Sequence, residues 1–235
     1  EKGAEVVRML HTLLGHKQFI EGASLYFRRF DGQAVTCDDF VDCMAEASGR
    51  DLAQFRRWYA QAGTPEVIAS GHYDQAAEQY HLTLKQLNRP TPGQTDKAPL
   101  PIPVATGLLV GGKPIPLDSG TTRILELSEP EQTFTFDGVL ARPVVSLLRG
   151  FSAPVRLTAD QSESDLLTLM SGDDDDFVAW DAAQSLLARA IEALDLTEQE
   201  AKIHHALLEA IERVLTGPMD AAMKALTLCL PSEEY

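Results

Sequence analysis

The sequence predicts an α+β chain of three successive parts: a helical segment over residues 1–64, a small β-sandwich over 65–160 and the start of a second helical segment over 161–235. Three observations carry this expectation. Apolar residues recur at three- and four-residue steps at both ends, the spacing that gathers them on one face of a helix. Between about residues 65 and 160 the period falls to two, as in strands with one buried face. Clusters rich in glycine, serine and proline punctuate that middle stretch at short intervals, as in sandwiches of short strands.

In the first part, Val6, Met9, Leu10, Leu13 and Leu14 form one apolar stripe, and Gly15 ends that helix. Phe19, Ile20, Ala23, Phe27 and Phe30 continue the period in a second helix, up to the turn Asp31-Gly32. Thr36 is the expected N-cap of a third, with Asp38 and Asp39 in the first turn, where carboxylates suit the helix dipole. Phe40, Val41 and Met44 would face inward, and Gly49 stands where a C-terminal glycine belongs. Asp51 caps a fourth helix carrying Leu52, Phe55, Trp58 and Tyr59, and Gly63-Thr64-Pro65 stops it. Trp58, on the face shared with Leu52 and Phe55, is a core anchor.

In the middle part, Tyr80, Leu82 and Leu84 alternate with His81, Thr83 and Lys85, and Phe134 and Phe136 with Thr133 and Thr135. Further short strands are expected near 67–70, 102–110, 114–117, 123–127, 139–148 and 154–158, with turns at Gly111-Gly112 and Asp118-Ser119-Gly120. Residues 88–99, rich in proline, threonine and glycine, form the clearest flexible loop. In the last part, Trp180, Ala183, Leu187 and Ile191 line one helical face, Thr197 with Glu200 makes a capping box, and Leu207, Leu208, Ile211, Val214 and Leu215 follow. Gly217-Pro218 marks a stop and a new start, and Pro231-Ser232 another.

With 44% hydrophobic and 23% charged residues, the chain has the composition of a globular protein able to bury a sizeable core. Its formal charge of −15 argues against nucleic acid or an anionic membrane as partner. No apolar run approaches the roughly 18 residues of a membrane helix. Cys37, Cys43 and Cys229 are odd in number and not spaced as C-x-x-C, so they read as reduced thiols of a cytoplasmic protein. The first residue is Glu and the opening segment is already an amphipathic helix. The natural N-terminus is therefore expected upstream, and the lack of a leader says nothing about export.

Chemistry-bearing motifs are sparse. Gly107 to Lys113 fits G-x-x-x-x-G-K, but Pro114 follows where a phosphate loop needs Ser or Thr and then a helix, so a hairpin with a glycine turn is the better reading. None of His11, His16, His72, His81, His204 and His205 belongs to an H-E-x-x-H pattern, and exposed histidines are the simpler account. Asp173–Asp176 lacks the alternation of a calcium loop and reads as a solvated, carboxylate-rich start to the helix holding Trp180. No Ser-His-Asp or Cys-His pair is arguable from spacing.

Several longer stretches carry a resemblance. Glu1-Lys2-Gly3-Ala4-Glu5-Val6-Val7-Arg8-Met9 resembles the E-K-G-A-x-V-x-R-M helix of the bacterial aminopeptidase N family. Thr36-Cys37-Asp38-Asp39-Phe40, Phe55-Arg56-Arg57-Trp58-Tyr59 running to Gly63-Thr64-Pro65, Glu131-Gln132-Thr133-Phe134, Phe151-Ser152-Ala153-Pro154-Val155 and the run from Trp180 to Leu187 are similar to it in the same order. The pattern fits least at Asp173–Asp176 and at 88–99. The resemblance implies that 1–64 is the helical end of a thermolysin-like catalytic domain, 65–160 the β-sandwich after it, and 161–235 the beginning of an α-helical C-terminal domain.

It also implies a zinc-dependent parent that removes N-terminal amino acids from peptides. Zinc would be held by two His of H-E-x-x-H and a downstream Glu, with the motif Glu as general base on the metal-bound water. A G-x-M-E-N loop would bind the substrate's amino group and a Tyr would stabilise the oxyanion. All of these fall upstream of Glu1, the Tyr immediately before it. No catalytic, metal-binding or cofactor-binding residue is thus carried onto this sequence. Glu1, flanking that Tyr, is a candidate only for orienting it. This piece alone is expected to bind no zinc and to be inactive. The alternative, from another class, is a stand-alone scaffold or binding module derived from the same family. With the preceding half removed, helix 4–14 would leave apolar area in water, and it is expected either to self-associate or to be the least protected of the four helices in 1–64.

Overall fold

The structure, a computed structural model, describes residues 2–117, 120–195 and 205–231. Glu1, Asp118-Ser119, the Thr197–Glu200 pair, His204 and Ser232 lie outside the described residues.

Helix α1 (Lys2–Phe30) is two helices joined at Gly15, whose φ of 75° and ψ of 161° break the ladder. Helix α2 (Cys37–Ser48) starts at a capping box: the Thr36 hydroxyl accepts from the Asp39 N–H, and the Asp39 carboxylate accepts from the Thr36 N–H at 2.8 Å. Gly49, at φ 67°, ends it. The expected fourth helix is shorter than its pattern, a 3₁₀ turn at Gln54–Arg56 and one helical turn, α3 (Arg57–Ala60). The second half of α1 departs from its expected face. Gly22 and the half-buried Tyr26 meet α2, Gly22 because a Cβ there would stand 3.1 Å from the Met44 backbone. Phe27 is left 65% exposed and Ile20 47%, because Gly22, which carries no weight in an apolar pattern, takes the close approach to α2.

Among the described residues eight strands follow: β1 (Glu66–Asp74), β2 (Gln79–Leu87), β3 (Ile102–Val110), β4 (Lys113–Pro114), β5 (Arg123–Leu127), β6 (Glu131–Phe136), β7 (Val144–Leu147) and β8 (Arg156–Ala159). One sheet runs β6-β2-β1-β8, antiparallel except for the parallel pair β1–β8. The other is organised by β3. Thr106 pairs with both Arg123 and Leu147, and Leu109 with both Pro114 and Val144. Strands β5 and β4 therefore share one edge of β3, and β7 takes the other. Gly111 and Gly112 both have positive φ, 59° and 75°, the two-residue turn that suits a twisted hairpin. The G-x-x-x-x-G-K pattern is thus a hairpin. The stretch expected as strand over 139–148 is extended only from Val144, after Pro143, which has no N–H to give a ladder.

Residues 88–99 are tied down rather than free. The Gln94 side chain donates to Ala60 O at 2.8 Å and accepts from the Ala62 N–H at 2.7 Å. Lys97 Nζ donates to Ala62 O at 2.6 Å, and the Gln61 side chain both donates to Ala98 O and accepts from its N–H. Five polar side-chain bonds therefore strap this segment to the end of α3.

The last part holds α4 (Glu163–Gly172), α5 (Asp176–Asp195), α6 (His205–Thr216) and α7 (Ala221–Leu228). Helix α5 buries Val178, Ala179, Ala182, Ala183 and Leu186. The expected stripe shares only Ala183 with this face, and Ile191 is 44% exposed. At Gly172 a Cβ would collide with the Gly112 carbonyl, so glycine lets α4 touch the β3–β4 turn. Among the described residues no helix is long and apolar enough to cross a membrane.

One core joins α1–α3 to the sandwich, from Val6, Met9 and Leu10 through Phe55 and Trp58 to Leu84, Leu125 and Leu127. A second joins α4, α5 and α6 around Leu109 of β3. The apolar face of helix 4–14 is not left in water: Val6, Met9, Leu10 and Leu14 are buried against β3, β5 and α2. A flat sheet covers more of a helix than one neighbouring helix does, and that sheet lies in this chain.

Trp58 is 5% exposed and its Nε1–H donates to Pro101 O at 2.8 Å, so Trp58→Ala should cost about 3–5 kcal/mol. An unchanged urea midpoint would contradict this. At the start of α4, burial pushes the Asp165 carboxyl up, but bonds from Arg142 and Ser162 outweigh it and hold the group below its ordinary 3.8. A depressed folded-state value contributes stability above the ordinary value and loses it as pH falls through the folded one. The urea midpoint of wild type should therefore fall more steeply below pH 4 than that of Asp165→Asn, and parallel curves would exclude the effect.

Candidate functional site

The polar centre of the molecule lies where the sandwich meets the helical array, at the end of β7. There the apolar run Val144-Val145-Ser146-Leu147-Leu148 ends in Arg149. Its side chain is 3% exposed and is answered by Asp173, whose side chain is fully buried. Nη1 donates to Thr121 O at 2.7 Å and Thr122 Oγ1 at 2.6 Å; Nη2 donates to Asp173 Oδ1 at 2.7 Å and also reaches Asp174. Thr121 Oγ1 donates to Asp174 at 2.6 Å. The guanidinium lies flat on β3, and a Cβ at Gly107 would stand 2.9–3.1 Å from its atoms. This is the structural use of the first glycine of G-x-x-x-x-G-K. The reading of Asp173–Asp176 as a solvated helix start is corrected: Asp173 and Asp174 neutralise a buried cation, and Asp175 Oδ1 accepts from the Val178 N–H at the head of α5.

The loop after Arg149 is strained. Leu148, Gly150 and Phe151 have φ of 55°, 58° and 54°, and non-glycine residues adopt such values only where their surroundings impose them. The surroundings here come from three sides. Ser152, buried, donates to Pro103 O at 2.9 Å and accepts from the Ala105 N–H at 3.0 Å, fixing the loop to β3. Asp175 Oδ1 accepts from the Gly150 N–H at 3.0 Å, fixing it to α5. Arg8 of α1 donates to the carbonyls of Gly150 and Phe151, the latter at 2.8 Å, with its guanidinium 5.9 Å from the Phe151 ring centre. Helix, sandwich and helical array thus meet on Gly150, Phe151 and Ser152.

A groove at the sandwich edge, lined by Tyr80, Arg142, Gln161 and Asp165, is a poor candidate for acid–base chemistry. Burial pushes the Tyr80 hydroxyl up to about 12, and Arg142 is held by both oxygens of Asp165.

Of the residues considered from sequence, Glu1 lies outside the described residues. His11 and His16 stand 3.3 Å apart, and His81 bonds Thr135. Among the described residues no three His, Cys, Asp or Glu side chains converge to hold a metal ion. These residues do not fit a zinc site. Arg149 escaped the sequence reading. Its signal was the juxtaposition of an arginine closing an apolar run with four successive carboxylates that need a counter-charge.

Comparison with known proteins adds what the geometry lacks. The peptidase family M1 domain matches residues 1–59, the DUF3458 domain of Ig-like fold matches 63–160, and the DUF3458_C domain of ARM repeats matches 163–235. Over 99% of its length the chain is 47% identical to aminopeptidase N of Escherichia coli K12 and 42% identical to that of Haemophilus influenzae. The chain belongs to the aminopeptidase N family. It spans 28% of the length of those two relatives. The family's likeness extends to three dimensions. The chain superposes over 98% of its length, at a TM-score of 0.86 and 31% identity, on 26% of the crystal structure of Legionella pneumophila aminopeptidase A in complex with aspartic acid. The family-like segment Phe151–Val155 begins in the strained loop.

Removing one partner of a buried ion pair strands the other, so Arg149→Met should lower stability by about 3–5 kcal/mol. Arg149→Met with Asp173→Leu should recover part of that loss. A single variant as stable as wild type in urea would show the pair to be dispensable.

Proposed function

We propose that this chain is part of a zinc-dependent metallo-aminopeptidase that removes N-terminal amino acids from peptides in the cytoplasm, and that by itself it is inactive. One observation carries the reading: the collinear 47% identity to an aminopeptidase N over 99% of the chain. In this proposal residues 1–64 are the helical end of the catalytic domain, 65–160 the β-sandwich and 161–235 the opening of the C-terminal helical domain. The matches to a peptidase domain, an Ig-like domain and ARM repeats in that order support the assignment.

Catalysis in the parent would then depend on this chain for placement rather than for reacting groups. By the family resemblance the oxyanion-stabilising Tyr directly precedes Glu1, so the N-terminal end of α1 would adjoin the reacting centre. The buried face of α1 fixes that helix to the sandwich through Val6, Met9 and Leu10. Inactivity of the chain alone is supported by its lack of an H-E-x-x-H sequence.

The test is a fluorogenic alanyl-amide assay across a zinc titration, run on the chain alone and on the full-length protein that contains it. Turnover is expected only from the full-length protein. Zinc-dependent turnover by the isolated chain, with stoichiometric bound metal, would falsify its inactivity. An inactive, zinc-replete full-length protein would remove the aminopeptidase reading.

A further inference from the structure

We infer that Arg8 is a positioning residue for the reaction, acting through the strained loop at 148–152; the inference rests on the function proposed above. Arg8 lies about two helical turns from the first residue of α1. Its guanidinium bonds two successive loop carbonyls, those of Gly150 and Phe151. Two adjacent carbonyls face one donor because Leu148, Gly150 and Phe151 all have positive φ, an arrangement an ordinary extended or helical segment does not provide.

The loop is held on its other sides by groups that do not belong to α1. Asp175 fixes the Gly150 N–H, Ser152 fixes the backbone to β3, and Arg149 beside them is clamped by Asp173 and Thr122. The position of the Arg8 guanidinium is therefore set by the sandwich and the helical array together. Apolar packing through Val6, Met9 and Leu10 fixes which face of α1 is buried. It is non-directional and leaves small rotations and slides of the helix less constrained. A charge-assisted bond to two carbonyls is directional, and it removes that freedom close to the end of α1 that meets the reacting centre. Displacements on the order of 1 Å at such a place lower rate by up to about a hundredfold.

The experiment uses the full-length protein, with Arg8→Ala, Arg8→Gln and Arg8→Lys compared with wild type for kcat and KM on an alanyl amide, zinc content and thermal midpoint. Arg8→Ala should lower kcat by roughly 10- to 100-fold with KM within about twofold of wild type and zinc content unchanged. Arg8→Lys, which keeps a charged donor, should recover most of the kcat. If Arg8→Ala does not fold, the same kcat-against-KM split is required of Arg8→Gln. Wild-type kcat in the folded variant, a rise in KM at constant kcat, or a loss of kcat matched by loss of zinc overturns the inference alone. A full-length wild type without aminopeptidase activity overturns the proposed function and this inference with it.

Discussion

The structure turns on a buried ion pair between Arg149 and Asp173. Taking a guanidinium and a carboxylate out of water costs several kcal/mol per ion, and their attraction offsets this only when the remaining donors and lone pairs are also satisfied. Thr121, Thr122 and Asp174 supply much of that satisfaction. Arg149 Nε and Asp173 Oδ2 find no partner among the described residues. An arrangement this demanding constrains its surroundings. Gly107 must lack a side chain, and the carboxylates of Asp173 and Asp174 must face inward. These positions lie on three separate segments of the chain, which is how one side chain ties the sandwich to the helices that follow it.

The two junctions of the chain are built on different physics. Helices α1–α3 and the sandwich share one apolar core, reinforced by the Trp58 bond to Pro101 and by the strap over residues 88–99. That contact is broad and insensitive to small misalignment. The sandwich meets the helical array through a narrower set of contacts: Leu109 in the second core, the Gly172–Gly112 approach and the Arg149 node. That contact is directional, so it specifies an angle between two bodies as well as their adjacency.

Much of the fold was legible because local chemistry agreed with tertiary structure. The Thr36 cap, the Gly49 stop, the break at Gly15 and the alternation of Tyr80, Leu82 and Leu84 each follow from a few neighbouring residues. What was missed depended on partners far along the chain. The strap at 88–99 has the composition of a free loop, and only its bonds to Gln61 and Ala62 make it otherwise. The covering of α1 by β3 and β5 cannot be inferred from the helix alone. The faces of α5 and of the second half of α1 were misplaced because alanine and glycine, which permit the closest approach, weigh little in an apolar pattern. The Arg149 site joins residues near 107, 121, 149 and 173, and no local motif unites them.

The parallel pairing of β1 with β8 bears on how the chain is made. Glu66 to Ala69 find their second neighbours only at Arg156 to Ala159. Ribosomes add about 5–20 residues per second, so the first strand waits roughly 5–20 s for that partner. During this interval the edge of β1 later covered by β8 has unpaired N–H and C=O groups, the condition under which nascent sheets pair with the wrong chain. The strand that ends the wait is short, and it emerges only after the Arg149 loop. Closure of the sandwich therefore waits on the same stretch of chain that joins it to its neighbours.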